Sequence, residues 1–169
     1  MEKKIQTLAS LGASSFSVRL DEVRLKDNST GKRIMIDHPM AAAIIPFISD
    51  SEIIMVRQFR YAVGRETLEI PAGKLDPGEE PEECIRRELV EETGYKAGQL
   101  KFICSYAPAI GYSNELIHIY SGSNLTKISQ KIDEREISSV QRIQIQEVRD
   151  LIKKGVILDG KTMLGLSML

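Results

Sequence analysis

The chain has few cysteines, almost no net charge and no long apolar run. Its two cysteines show no metal-binding spacing. Cys104 follows two apolar residues, and Cys84 falls on the apolar side of a predicted helix, so we expect reduced core thiols and no disulfide. A formal net charge of −1 gives no reason to expect a nucleic-acid partner. The longest apolar stretch, residues 40–48, contains Pro46 and is too short to span a membrane.

The composition indicates an ordinary globular protein. Residues 1–5 lack the apolar run of a signal peptide, so we expect a cytoplasmic location. With 169 residues, 42% of them hydrophobic, the chain is long enough for one real core. It contains no internal repeat and no low-complexity segment. We therefore predict a single domain over residues 1–169.

The pattern of apolar residues and turn residues predicts a mixed α+β fold. Two N-terminal strands would form an antiparallel hairpin over residues 17–37, and residues 40–48 and 52–59 would form a second hairpin with buried faces. Because strands and helices are interspersed without a regular βαβ rhythm, we expect a mixed sheet with helices on both faces. The remaining predicted strands are 66–70, 100–106, 116–120 and 140–148; residues 121–131 are polar; and the predicted helices are 81–93, a short one through Leu151 and Ile152, and 159–169.

The helix over residues 81–93 carries the most informative charges. Pro81 suits a first helical position, and Gly94 suits the left-handed residue that ends a helix. At about 100° per residue, with Cys84 at zero, Glu88 lies near 40° and Glu92 near 80°, inside the apolar arc. Partly buried carboxylates are costly unless something neutralises them.

Arg87 does not solve this problem in the helical projection. It falls near 300°, beside Glu91 at the i,i+4 position and away from Glu92. Glu88 and Glu92 therefore lie one turn apart, roughly 6 Å along the axis, with no evident cationic side chain between them. A hard divalent cation would neutralise them, since Mg²⁺ prefers carboxylate, water and phosphate oxygens. The alternative is a solvated acidic helix, because residues 79–92 hold seven Glu and two Arg.

The spacing of this segment resembles that of a known family. Gly73 is followed after five residues by Glu79, and after seven more by Arg87-Glu88-Leu89-Val90-Glu91-Glu92-Thr93-Gly94-Tyr95. Residues 73–95 thus resemble the box of the Nudix hydrolases, which cut the diphosphate bond of nucleoside diphosphates linked to another moiety. The resemblance implies a Nudix-type αβα sandwich.

It also implies roles for residues of the box. The metal ligands would be Glu88, Glu92 and the main-chain carbonyl of Ala72, with Mg²⁺ or Mn²⁺ as the cation. Gly73 would permit a tight turn that brings the backbone close to the metal or a phosphate. Glu79 would be mainly structural. The predicted catalytic set from the box is Glu92 and Arg87.

The general base is expected in a later acidic loop, as in the ADP-ribose pyrophosphatase group. Residues 133–136, Asp-Glu-Arg-Glu, occupy the corresponding place. We predict Glu134 as the base and Glu136 as a further metal ligand. A solvated acidic loop is an equal alternative, because charge clusters are common in loops.

Segments outside the box resemble the same group of pyrophosphatases. Residues 56–61 and 69–74 match it, and Arg60 matches an arginine that holds the diphosphate, a task for which a planar guanidinium is suited. Arg57 is a weaker substrate-binding candidate, with a surface charge as its default role. Residues 108–115 resemble the substrate loop, which adds Gly111 and Tyr112. Tyr112 would stack on a base or sugar, or anchor the loop.

One departure leaves the substrate open. The group usually has a proline where this chain has Ile110, and a proline stands at Pro108 instead. GDP-mannose or ADP-glucose therefore remain candidates beside ADP-ribose. The resemblance further implies a homodimer through the N-terminal strands, with Phe16 and Arg19 of one subunit reaching the base.

Two other functions stay open. One is a Nudix hydrolase of nucleoside triphosphates or dinucleoside polyphosphates, against which Arg60 and the acidic loop argue. The other is a sensing domain that binds ADP-ribose without cutting it. Such domains usually lose glutamates of the box and carry a DNA-binding module, whereas this box is complete and the chain has little room for a second module.

Overall fold

The computed structural model describes residues 1–12, 15–128, 132 and 136–169. Residue contacts divide the chain into two compact units. The first consists of residues 1–40 and 106–116, and the second of residues 41–105 and 117–169.

The first unit is built on an antiparallel sheet of three strands: β1 (Lys3–Gly12), β2 (Ser17–Arg24) and β3 (Thr30–Asp37). The predicted hairpin corresponds to β2 and β3, which pair from Ser17↔Asp37 to Arg24↔Thr30. Strand β1 was not predicted from the sequence. All ten of its residues are exposed and its pairing with β2 is interrupted by irregularities, so it lacks the alternation that identifies a half-buried strand.

The loop of residues 106–116 is attached to the end of β3. The Ile36 N–H donates to the Tyr112 carbonyl at 2.7 Å. The His38 N–H donates to Asn114 Oδ1 at 2.8 Å, and the Asn114 amide donates to Asp37 at 2.6 Å. These bonds fix the loop within the first unit.

The second unit contains two sheets and three helices. One sheet has the strand order β7-β4-β9-β8, and β4 and β9 run parallel in it, so the sheet is mixed. The other is antiparallel, with the order β10-β5-β6. The strands are β4 (Ala41–Pro46), β5 (Glu52–Arg60), β6 (Arg65–Glu69), β7 (Ala72–Lys74), β8 (Tyr95–Tyr106), β9 (Ile117–Lys127) and β10 (Ile137–Gln144); the helices are α1 (Pro81–Thr93), α2 (Ile145–Lys153) and α3 (Gly160–Ser167).

The core lies on both faces of β4, all six residues of which are buried. Ala42 and Ile44 pack with three buried side chains of α1: Cys84, Ile85 and Leu89. On the opposite face, Gly165 of α3 lies against Ile45 and Ile119, where a Cβ would come within 3.0 Å and 3.3 Å of their side chains. Successive residues of a strand point to opposite faces, so α1 and α3 cover the two sides of the mixed sheet. The predicted fold class, a mixed sheet between helices, is confirmed.

Several predicted boundaries were wrong. The strand predicted over residues 140–148 ends at Gln144, because Ile145, Val148 and Ile152 follow at helical spacing and bury Val148. The polar residues 121–127 continue β9, and β8 begins at Tyr95 instead of residue 100.

The hairpin predicted from residues 40–48 and 52–59 is limited to its turn. There Ile48 N–H donates to the Glu52 carbonyl at 2.9 Å, and Phe47 bridges to Ile53. Beyond this point β4 and β5 belong to different sheets, and each is an inner strand of its sheet. Within the described part of the chain, no helix is long and apolar enough to cross a membrane.

Candidate active site

The box forms a strand, a turn and a helix. Short strand β7 leads into a turn in which Gly78 has a φ of +82°. Asp76 and Glu79 close this turn reciprocally: the Glu79 N–H donates to the Asp76 carbonyl at 3.0 Å, and the Asp76 N–H donates to the Glu79 carboxylate at 2.9 Å. Helix α1 then begins at Pro81 and ends at Thr93, and the residue after it, Gly94, has a φ of +72°. The predicted helix bounds are confirmed.

Glu92 is a buried carboxylate, with 7% of its surface exposed. Its carboxylate accepts the N–H of Ala72 at 3.1 Å, so the last turn of α1 is tied to the start of β7. Burial and the nearby charge of Glu88 raise the pKa of Glu92 to about 8, although the Ala72 N–H, Lys161 and Arg60 act in the opposite direction. A positive charge in direct contact with the carboxylate would favour its ionised form.

Glu88 lies one turn earlier, directly over Gly73. A Cβ added to Gly73 would come within 1.9 Å of Glu88 Oε1 and 2.0 Å of its Cδ. Gly73 sits in β7 opposite Ala42, and its φ is outside the left-handed region. The expectation of a tight turn at Gly73 was therefore wrong: the absent side chain makes room for the Glu88 carboxylate against the backbone.

Arg87 corrects the helical projection. Its guanidinium donates to Glu88 Oε1 at 2.7 Å as well as to the predicted partner Glu91 at 3.3 Å. Its strongest contact is a bidentate pair with Glu79, at 2.9 Å and 2.8 Å. A 100° projection missed the contact with Glu88 because the arginine side chain is long enough to bend over its own helix. Arg87 thus orients three carboxylates together.

Arg87 and its neighbours shift the pKa values of Glu79 and Glu88. Hydrogen bonds from Arg87 lower the pKa of Glu79 to about 2, against a smaller effect of burial. Burial raises the pKa of Glu88, the Arg87 guanidinium lowers it, and the charges of Glu91 and Glu136 raise it further. The net direction for Glu88 is upward, so its carboxylate is left in need of positive charge even with Arg87 in contact.

The donor set fits a hard divalent cation. Glu88 and Glu92 are two partly or fully buried carboxylates whose charged forms are disfavoured, and the main chain of Ala72 and Gly73 touches both of them. Over the residues that the structure describes, no group of three His, Cys, Asp or Glu side chains forms a ready-made metal cage. Magnesium is typically bound in this way, through one or two carboxylates together with waters and substrate phosphates.

The predicted acidic loop is described only in part. Glu134 lies outside the described residues. Glu136 stands immediately before β10, and its charge acts on Glu88, which places it on the Glu88 side of the site. The structure therefore brings one of the two predicted loop residues towards the box.

Arg60 ends β5 and faces Glu69 at the end of β6. The guanidinium donates to both carboxylate oxygens, at 2.8 Å and 2.6 Å. The carboxylate is 3% exposed while the arginine side chain is 42% exposed, so Glu69 anchors a guanidinium that still reaches the surface. Arg57 lies three residues earlier, on the opposite face of the strand. The structure does not bring it together with Arg60.

Glu69 and Lys161 were not predicted as site residues from the sequence. The Lys161 ammonium, 7% exposed, contacts the Glu69 carboxylate and donates to Asp159 at 2.9 Å. Burial raises the pKa of Glu69, but the Arg60 and Lys161 contacts together lower it to about 2. A signal was available: a lysine in the first turn of a helix is opposed by the helix dipole unless an acid pairs with it.

Three predicted substrate-binding residues lie in the first unit. Tyr112 is 54% exposed and is held by its backbone to Ile36. Gly111 has open space around it. Arg19, on β2, pairs with Asp37 at 3.4 Å and Asp21 at 3.7 Å, so its charge is already matched by two carboxylates.

Comparison with known proteins identifies the family. The NUDIX domain family matches residues 37–164. A methanol dehydrogenase activator of Bacillus methanolicus is 35% identical over 99% of this chain and 92% of its own length. An ADP-ribose pyrophosphatase of Bacillus subtilis is 34% identical over 95% of this chain and 88% of its own length. A GDP-mannose pyrophosphatase of Escherichia coli is 34% identical over 82% of this chain and 77% of its own length.

The fold is also shared with a solved structure. The crystal structure of an ADP compounds hydrolase aligns over 98% of this chain and 92% of its own, with a TM-score of 0.81 and 22% sequence identity. The resemblance drawn from residues 73–95 is confirmed by the family match and by the curated relatives. The chain belongs to the Nudix family.

Proposed function

We propose that the protein hydrolyses the diphosphate bond of ADP-ribose or a related nucleoside diphosphate sugar, releasing a nucleoside monophosphate and a sugar phosphate. The observation that carries this proposal is the buried pair Glu88 and Glu92, held against Gly73 and Ala72 in a complete box. The names of two relatives support the substrate class, since one is an ADP-ribose pyrophosphatase and another a GDP-mannose pyrophosphatase.

A divalent cation is required in this proposal, and Mg²⁺ is the first choice, with Mn²⁺ as a substitute. Glu88, Glu92, Glu136 and the carbonyl of Ala72 would hold it. When bound, such a cation neutralises phosphate charge and lowers the pKa of a water ligand. Arg87 keeps Glu88 in place through its hydrogen bond at 2.7 Å. Glu134 is proposed as the base that takes the proton of the attacking water.

Substrate binding is proposed to centre on Arg60. Its guanidinium is anchored on one side by Glu69 and remains 42% exposed, which leaves it able to contact the diphosphate. Gly73 is proposed to let the backbone approach the metal or a phosphate closely. Gly111, Tyr112 and Arg19 are proposed to contact the nucleoside or sugar. Arg57 is retained as the weakest of these candidates.

The assembly and location are also proposals. We propose that residues 1–169 act as one Nudix hydrolase domain in a homodimer formed through the N-terminal strands. The β1–β3 sheet supports this, because it leaves apolar side chains such as Leu11 and Ile34 exposed by 72% and 58%. A cytoplasmic location is proposed, with neither nucleic acid nor a membrane as a partner.

A release assay tests the function. Purified protein with Mg²⁺ would be offered ADP-ribose, GDP-mannose, ADP-glucose and a nucleoside triphosphate, and the monophosphate products would be quantified. Turnover of ADP-ribose or the sugar nucleotides is the expected result. Turnover of the triphosphate alone would replace the proposal with hydrolysis of nucleoside triphosphates or dinucleoside polyphosphates.

The variant Glu92→Gln separates an enzyme from a sensor. It should lower kcat at least about a hundredfold, because even outer partners of metal ligands contribute 10- to 100-fold, while substrate binding persists. Glu82→Gln is the matched control, since Glu82 lies on the same helix, is 56% exposed and pairs with Arg86. Tight binding of ADP-ribose with no turnover in the unmodified protein would identify a sensing domain instead.

A further inference from the structure

Lys161 lies outside the box, in the first turn of α3. Its side chain is 7% exposed, and a lysine is rarely buried without acidic partners. It has two: Asp159, at 2.9 Å, and Glu69, whose carboxylate it contacts directly. The side chain is therefore fixed between the N-terminal end of α3 and the end of β6.

Glu69 links Lys161 to Arg60. The same carboxylate oxygen, Oε2, accepts from Lys161 and from the Arg60 guanidinium, and Oε1 accepts from Arg60 and from Thr67. One negative charge is thus shared by two cations. Because Lys161 takes part of that charge, Glu69 anchors the Arg60 guanidinium without fully neutralising it.

The main chain strengthens this connection. Thr162, the next residue of α3, accepts the Ile70 N–H on its hydroxyl at 2.9 Å, and Asp159 caps the helix through the Thr162 N–H at 3.0 Å. The first turn of α3 therefore holds both the side chain of Glu69 and the backbone of the following residue. Ile70 lies two residues before Ala72, whose N–H donates to Glu92, so the network borders the box.

We propose that Lys161 is a positioning residue for substrate: it acts through Glu69 to hold the Arg60 guanidinium and to keep its charge available for a diphosphate. Arg60, Lys161, Glu69 and Asp159 together carry no net charge, and loss of the Lys161 ammonium would leave the group with a net charge of −1. That group adjoins the carboxylates of the box, and the change would oppose an anionic ligand. This inference rests on the proposed function, because it assigns Arg60 to the diphosphate.

The test compares Lys161→Met with Lys153→Met. Lys153 is 75% exposed at the end of α2, so its replacement makes the same change in net charge away from the network. Lys161→Met should raise the KM for ADP-ribose about tenfold and leave kcat within about threefold, because one short-range charge is lost from binding. The control should leave both constants unchanged. An unaltered KM in folded Lys161→Met would overturn the proposal.

A double-mutant cycle tests the route through Arg60. If Lys161 acts on Arg60, then Lys161→Met should add little to the KM of an Arg60→Ala protein. Independent, additive effects would overturn that route. If Lys161→Met does not fold, Lys161→Gln takes its place, since its amide can still donate to Glu69 while the charge is removed.

A binding measurement keeps this test separate from the proposed reaction. Titration of inorganic pyrophosphate with Mg²⁺, followed by calorimetry, should show about tenfold weaker binding to Lys161→Met than to the unmodified protein. That difference is expected even if none of the offered nucleotide sugars is cut, in which case only the proposed function fails. Equal pyrophosphate affinity in the two proteins would overturn the role of Lys161 whatever the substrate proves to be.

Discussion

Gly73→Ala provides a sharp test of the site, because it adds one methyl group at the point where Glu88 touches the backbone. The added Cβ would lie 1.9 Å from Glu88 Oε1, 2.0 Å from Cδ and 2.6 Å from Cγ. Non-bonded carbon atoms settle at about 3.5–4.0 Å. The Glu88 carboxylate must therefore move by more than about 1 Å, and a displacement of that size can lower a catalytic rate about a hundredfold.

The fold should tolerate this substitution. Gly73 has no left-handed φ, and its position in β7 is one that alanine can adopt. The atoms it would strike belong to a flexible side chain, so the clash is relieved by rotating Glu88. We expect kcat for ADP-ribose to fall about a hundredfold while the melting temperature stays within a few degrees. Steady-state kinetics and thermal denaturation of the same preparations measure both quantities.

The matched control is the background Glu88→Ala, in which the obstructed carboxylate is absent. There, Gly73→Ala should change kcat little further, since residues that act as a unit have non-additive effects. Two results would refute the reasoning: a full additional loss in the Glu88→Ala background, or a wild-type kcat in Gly73→Ala. Either would mean that the position of the Glu88 carboxylate does not limit catalysis.

Three further predictions concern charge. Because the pKa of Glu69 is lowered to about 2 from near 4.5, its contribution of about 3 kcal/mol to stability is complete above pH 4.5 and is lost as the pH falls towards 2. Urea unfolding should therefore show that the loss of stability caused by Glu69→Gln is smaller at pH 3 than at pH 7. An equal loss of stability at the two pH values would contradict this prediction. Arg87→Lys removes the bidentate contact with Glu79 and should lower kcat about tenfold or more, with Arg86→Lys as a control on the same helix. Burial raises the pKa of the Cys84 thiol to about 12, so a thiol reagent should label native protein at Cys104 well before Cys84, as peptide mass mapping would show.

The box was readable from sequence because its geometry is local. A helix over residues 81–93 fixes where Glu88 and Glu92 lie relative to Cys84 and Leu89, and the structure places both carboxylates on the packed side as expected. The bounds of that helix were also predictable, since proline at its first position and glycine just beyond its end act through backbone conformation alone.

The contacts that failed to appear from sequence depend on distant pairing or on side-chain length. Glu69 and Lys161 are 92 residues apart and meet only because α3 packs on the sheet. The Arg87 contact with Glu88 requires a bent side chain that a projection of Cα directions does not contain. Strand β1 could not be predicted from the sequence, because its ten residues are all exposed and no alternation of buried and exposed residues marks it.

The acids around the box divide by how their charge is balanced. Arg87 forms charge-assisted pairs with Glu79 and Glu91, and Glu69 is matched by Arg60 and Lys161. Among the described residues, Glu92 differs from these acids. Its direct hydrogen-bond donor is the uncharged Ala72 N–H, and its pKa is raised to about 8. A purely structural carboxylate at that depth would be as well stabilised by an arginine as its neighbours are. Glu92 lacks a positively charged group in direct contact from any residue that the structure describes, and a divalent cation would supply that positive charge.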